Sequence, residues 1–99
     1  MALPVRTHPL FYARLHLALL GVADAIDSEV EYVGRHLPEV EARFADHWDD
    51  LPRDPDDDNV RYVTGVFETI PALFVIEGRL VDAGTLISIR NIRIVPIPS

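Results

Sequence analysis

The sequence predicts a single α+β domain, residues 1–99, in which an N-terminal helical hairpin packs on a three- to four-stranded antiparallel sheet. Three observations lead there. Apolar residues recur at helical spacing in the first half, and in the second half they come in dense, β-branched, strand-like blocks. Between the halves lies a run of seven aspartates in thirteen positions: Asp46, Asp49, Asp50, Asp54, Asp56, Asp57 and Asp58. The run divides the chain into a hairpin over about 9–51, an acidic loop over 52–59 and a sheet over 60–95.

The N-terminal stretch 2–7 is short and interrupted by Pro4, which suits an edge strand or an extended arm. Thr7 or His8 can cap a helix whose first turn contains Pro9. Apolar positions then run Phe11, Leu15, Ala18/Leu19, Val22, Ile26, Val30, Val33, Leu37, a 3–4 spacing that predicts one helix over 9–36. Such a helix would be roughly 40 Å long. Gly21 weakens it by about 1 kcal/mol relative to alanine and admits a bend. Pro38 marks the start of a second helix, with Glu39 and Glu41 set against its N-terminal dipole. Val40, Phe44, Trp48 and Leu51 share one face of it and are core candidates. Pro52 and Pro55 end helical structure.

In the second half, 60–69 reads as a strand with Gly65 at a bulge or a close backbone approach. Ala72-Leu73-Phe74-Val75-Ile76 is apolar at consecutive positions, as in a central strand. Two turns compete for the next hairpin, Glu77-Gly78 and Asp82-Ala83-Gly84. The second lets two long strands pair, 72–81 with 85–95. Ile87 and Ile89 have one parity and Ile92 and Ile94 the other, so a bulge near Arg90-Asn91 would return all four to one face. Pro96 and Pro98 close the end.

Composition excludes several chemistries. With no cysteine there is no disulfide framework, thiol catalysis or thiolate metal site. Residues 1–59 carry five arginines against thirteen acids, a net −8, and residues 60–99 carry four against three, a net +1. An acidic chain repels nucleic acid at long range, which argues against direct nucleic-acid binding. Arg6 and Arg14 ahead of an apolar stretch imitate a secretory leader, but His16 and Asp24 interrupt the pattern. The expectation is a cytoplasmic protein with no membrane span.

The segment Asp54-Pro55-Asp56-Asp57-Asp58-Asn59 imitates a calcium loop, but Gly65 stands where the bidentate glutamate belongs. His8, His16, His36 and His47 lack zinc spacing. No nucleophile, phosphate or dinucleotide motif occurs, so no catalytic residue, metal or cofactor is expected. The binding candidates are Arg61, Tyr62, Arg90 and Arg93, because a strand-borne guanidinium can fork a carboxylate or phosphate. The competing reading pairs these arginines with the acidic helices. Ile92, Ile94 and Ile97 are candidates for a partner interface, since an uncovered apolar edge invites a partner or a second copy.

One stretch, Glu31-Tyr32-Val33-Gly34-Arg35-His36-Leu37-Pro38-Glu39-Val40-Glu41-Ala42-Arg43-Phe44, resembles the passage between the two helices of the bacterial RelE/ParE-type toxins. Leu51-Pro52-Arg53-Asp54-Pro55 is similar to their helix exit. Pro71-Ala72-Leu73-Phe74-Val75-Ile76-Glu77-Gly78 and Leu86-Ile87-Ser88-Ile89-Arg90 resemble their final hairpin. Their element order is also a short strand, a helical hairpin and an antiparallel meander. Ribosome-dependent members cut mRNA with basic and aromatic side chains, whereas this chain is acidic and has no lysine. The resemblance therefore implies the ParE-like branch, which inhibits DNA gyrase by protein contact. It implies the toxin-like part of a type II toxin–antitoxin system, with an antitoxin as partner and a homodimer as a further option. The alternatives are a non-enzymatic acidic interaction module or inhibitor, and a RelE-like mRNA endonuclease.

Overall fold

The computed structural model describes residues 2–98. In order they form β1 (Val5–Thr7), α1 (Pro9–Leu19), α2 (Ala25–Glu31), a π-helical turn (Tyr32–His36), α3 (Leu37–His47) and a 3₁₀ turn (Trp48–Asp50). The strands β2 (Arg53–Asp54), β3 (Asp57–Val66), β4 (Ala72–Val81) and β5 (Leu86–Pro96) follow. The α+β class is as expected. The sheet, however, has five strands in the order β1-β5-β4-β3-β2, and it is mixed, because β1 runs parallel to β5. The chain returns to its own N-terminal arm to add that strand, a long-range pairing with no local sequence signal.

The helical hairpin is present, but its bend lies elsewhere. The single helix expected over 9–36 breaks after Leu19, where Gly21 takes φ +81° and Asp24 φ +60°. Glycine enters the left-handed region without penalty, so Gly21 reverses the chain instead of merely bending it. Pro38, expected to separate two helices, lies inside a helical path that is continuous over 25–47. The π turn makes this feasible: the Leu37 N–H reaches back to the Tyr32 carbonyl, one residue further than in an α-helix. The widened turn eases the clash that a proline ring makes with the carbonyl four residues earlier. His8 caps α1 through Nδ1, which accepts from the Leu10 N–H at 3.1 Å.

The break also resets the helical phase. Phe11, Leu15 and Leu19 of α1 face the sheet and are buried, as expected. Beyond the reversal Ser28, Tyr32, Leu37, Val40 and Phe44 turn inward, so Ile26, Val30 and Val33 of the expected stripe face solvent.

The Asp82-Ala83-Gly84 turn closes the hairpin, with all three residues at positive φ. Its strands pair Ala72 with Pro96 through Val81 with Leu86. The bulge falls at Arg90, the one residue skipped between the Gly78–Ile89 and Glu77–Asn91 pairs. It turns Ile87, Ile89, Ile92 and Ile94 to the same helix-facing side. Gly65 is a close approach: a Cβ there would lie 2.2 Å from Cζ of Phe74. Gly78 stands likewise beneath Phe44, at 2.5 Å. Phe44, Trp48 and Phe74 are core residues.

The stretch 52–59 is no open loop. Asp54 Oδ1 accepts from the Asp56 N–H at 2.8 Å and Asp57 Oδ1 from the Asn59 N–H at 3.0 Å. Each aspartate thereby closes a local turn, and together they build the β2–β3 hairpin.

Candidate functional site

The helices cover one face of the sheet, and strand alternation sends the other residues to the open face. There Tyr62 of β3 stands opposite Glu77 of β4, Glu77 opposite Asn91 of β5, and Val75 opposite Arg93. These side chains and Ile92 enclose a concavity of about 190 Å³. Arg79 and Arg6 lie further along the same face, on either side of Ser88. Tyr62 Oη donates to Asp54 Oδ2. That bond first, and burial second, push the Tyr62 phenol up to about 12, so at neutral pH it is a neutral donor. The same bond leads the causes that hold Asp54 below its usual range. The Asn59 amide and the Arg79 guanidinium, 2.8 Å away, do so for Asp57. The exposed side chain of Arg93 forms no hydrogen bond or ion pair among the described residues.

Of the four binding candidates, Tyr62 and Arg93 share this concavity. Arg90, at the bulge, donates from Nε to Ser88 Oγ at 3.0 Å, while its carbonyl accepts from Arg14 Nη1 at 2.7 Å. Arg61 does not belong to the face. It points inward, is 6% exposed, and lies with its guanidinium 5.1 Å from the Trp48 ring centroid. Its Nη1 donates to the Asp58 and Val60 carbonyls, which makes Arg61 a packing residue at the end of the core. None of the three arginines forms an ion pair with an acidic helix among the described residues.

The expected partner edge needs a similar correction. Ile92 is 8% exposed and Ile94 packs against the core, while Ile97 is 39% exposed. What is free along β5 is its backbone. The Ile97 N–H bonds to the Pro71 carbonyl at 2.8 Å, which sets the alternation of the antiparallel ladder. Arg93 and Val95 therefore face β4, whereas Ile92 and Ile94 direct their N–H and C=O groups to the outer edge. Beside Ile87 and Ile89 that edge is filled by β1, which ends at Thr7. The Ile92 N–H is satisfied by Asn91 Oδ1 at 3.0 Å, and no described group reaches the Ile94 N–H.

The most heavily bonded polar cluster has no signature in the sequence. Glu31 accepts from the backbone N–H groups of Glu68 and Thr69, both at 2.8 Å, and contacts His36 Nε2. It bolts the second arm of the hairpin to the β3–β4 turn. Burial alone would raise its pKa, but the two amides and His36 outweigh burial and hold the carboxyl at about 2. Beside it, Ser28 Oγ and Thr69 Oγ1 meet at 2.8 Å. The aromatic rings of Phe67, Phe74 and Tyr32 surround His36. This is an anchoring cluster, and a partner for Glu31 some 37 residues away left no trace in local spacing. No group of three or more His, Asp or Glu side chains suited to a metal ion occurs among the described residues. No helix among them is long and apolar enough to cross a membrane.

Comparison of the chain with models of protein families, with curated proteins and with solved structures finds no match.

Proposed function

We propose that this chain is the toxin-like member of a type II toxin–antitoxin pair and that it acts by gripping another protein. The observation that carries the reading is the free outer edge of β5 at residues 92–96, set beside the unpaired Arg93. Exposed strand edges recruit extended segments through main-chain hydrogen bonds, and neighbouring side chains supply the selectivity. An extended segment of an antitoxin would bond to the Ile94 N–H and to the Ile92 and Ile94 carbonyls. An acidic residue in it would meet Arg93. The element order, short strand, helical hairpin and meander, agrees with the toxins named above. In the ParE-like form of the reading the target is DNA gyrase, and the tools are the guanidinium, amide and phenol of the open face.

Induced expression in a bacterial host tests this. Growth arrest, relieved by co-expression of the adjacent small gene and lost in Arg93→Glu at unchanged melting temperature, is the expected result. Absence of both arrest and any such gene overturns it. Gyrase-dependent DNA cleavage during arrest separates the ParE-like route from mRNA cleavage.

A second reading is favoured by the exposed acids at the hairpin tip, Asp24 and Asp27. In that reading the chain is an acidic module that binds a basic protein. Neutralising Asp24, Asp27 and Glu29 would abolish its binding. Glu31 must be left intact in that experiment, because it anchors the fold.

A further inference from the structure

Three arginines meet around one buried serine at a corner of the open sheet face. Ser88 of β5 is 5% exposed and stands in register with Arg6 of β1 on one side and Arg79 of β4 on the other. Neighbouring strands lie about 5 Å apart, so two long guanidinium side chains flank a small hydroxyl. The third comes from the bulge. Arg90 has no partner on β4, and its Nε donates back to Ser88 Oγ at 3.0 Å. Among the described residues, the terminal nitrogens of Arg90 and the exposed guanidinium of Arg6 form no hydrogen bond or ion pair. The Ser88 hydroxyl proton likewise meets no acceptor among them. Arg79 is engaged, by Asp57 at 2.8 Å.

Three guanidiniums against one carboxylate leave this corner at +2, in a chain whose net charge is −7. Like charges gathered on one sheet face destabilise it unless an anion joins them. The next acid on the face, Glu77, lies one row away and lines the concavity it shares with Arg93. Charge and donors specify the occupant. A carboxylate carries one charge and is satisfied by a single guanidinium fork, whereas a phosphate monoester brings close to two charges and three strong acceptor oxygens. Two free guanidiniums and a free hydroxyl suit the monoester. A polynucleotide offers one charge per phosphate, and the acidic chain as a whole repels it. In the direction away from Glu77, the next row is the half-buried pair Val81 and Leu86, about 7 Å on. We propose that the Arg6–Ser88–Arg90 corner of the open face binds the phosphate of a small phosphate monoester whose apolar body lies on Val81 and Leu86. This site uses neither Arg93 nor the outer edge of β5, so it stands apart from the proposed function.

Titration calorimetry of the full chain with phenyl phosphate tests it, with amide chemical shifts to locate the ligand. Saturable binding is expected, with the largest shifts at Arg6, Ser88 and Arg90. Benzoate and phenyl methyl phosphate keep the apolar body but carry a single charge, and each is expected to bind about tenfold more weakly. Arg6→Gln and Arg90→Gln are each expected to cost about tenfold in affinity and Ser88→Ala about threefold, with unchanged far-ultraviolet circular dichroism. Arg93→Gln is expected to bind as the wild type does. Absence of binding at high millimolar phenyl phosphate overturns the proposal. So does equal affinity for benzoate, or binding indifferent to Arg6→Gln and Arg90→Gln. Tighter binding of an RNA oligonucleotide without a terminal phosphate overturns it as well, because the site would then read a phosphodiester backbone.

Discussion

Glu31 is 8% exposed in its side chain yet remains a carboxylate, because the Glu68 and Thr69 amides and His36 hold it. Its folded pKa of about 2 lies below the ordinary 4.5, so the stability it contributes is present above about 4.5 and is lost as pH falls toward 2. Asp54 and Asp57 are shifted in the same direction and add to the acid limb. Glu31→Gln is expected to cost about 2 kcal/mol at neutral pH, by weakening charge-assisted bonds to two amides. It also flattens the acid limb, and chemical denaturation at stepped pH measures both effects. Two other positions give opposite signs. Ala83 sits at φ +58°, where a Cβ is strained, so Ala83→Gly is expected to stabilise by about 0.5–1 kcal/mol. Gly65→Ala drives a Cβ into the Phe74 ring, which Tyr32, His36 and Phe67 hold in place, and should destabilise by about 1–3 kcal/mol.

At the scale of elements, the apolar spacing was legible in the sequence but the reversal within it was not. Phe11, Leu15 and Leu19 continue in register into Val22 and Ile26, so periodicity alone joined two antiparallel arms into one helix. The signal for the break was Gly21, which a helix tolerates at a cost of about 1 kcal/mol and which a reversal requires. Pro38 misled in the other direction, because a π turn absorbs what an α-helix cannot. The strands were more readable. Parity located the bulge near Arg90-Asn91, and the pairing of two long strands selected the Asp82-Ala83-Gly84 turn. A single substitution separates the two helical readings. In a continuous helix Gly21→Ala would stabilise by about 1 kcal/mol, whereas at φ +81° it should destabilise by about the same amount. Gly34, in the π turn, is the control: an added Cβ would meet nothing within 4 Å, so it should tolerate alanine.

For the whole molecule, the polarity read from the sequence survives in three dimensions. The acidic half forms the hairpin and the β2–β3 turn, and the arginines Arg6, Arg79, Arg90 and Arg93 associate with the open side of the sheet. Of the four binding candidates, Tyr62 and Arg93 come together at the open-face concavity. Arg61 lies apart from them, because it packs inward on Trp48, which comes from a turn thirteen positions earlier whose docking no local pattern encodes. Ile92 and Ile94 were read as exposed, although the bulge that the same parity argument located is what turns them inward. The proposed functional surface is thus the backbone edge of β5, and everything built on it requires that edge to be free. Residue-resolved amide hydrogen exchange on the purified chain probes that freedom without any partner in hand. The Ile94 N–H is expected to exchange orders of magnitude faster than those of Arg93 and Val95, which bond to β4. An Ile94 N–H protected as well as its two neighbours would show the edge already filled, and the proposed docking of an extended segment would fall with it.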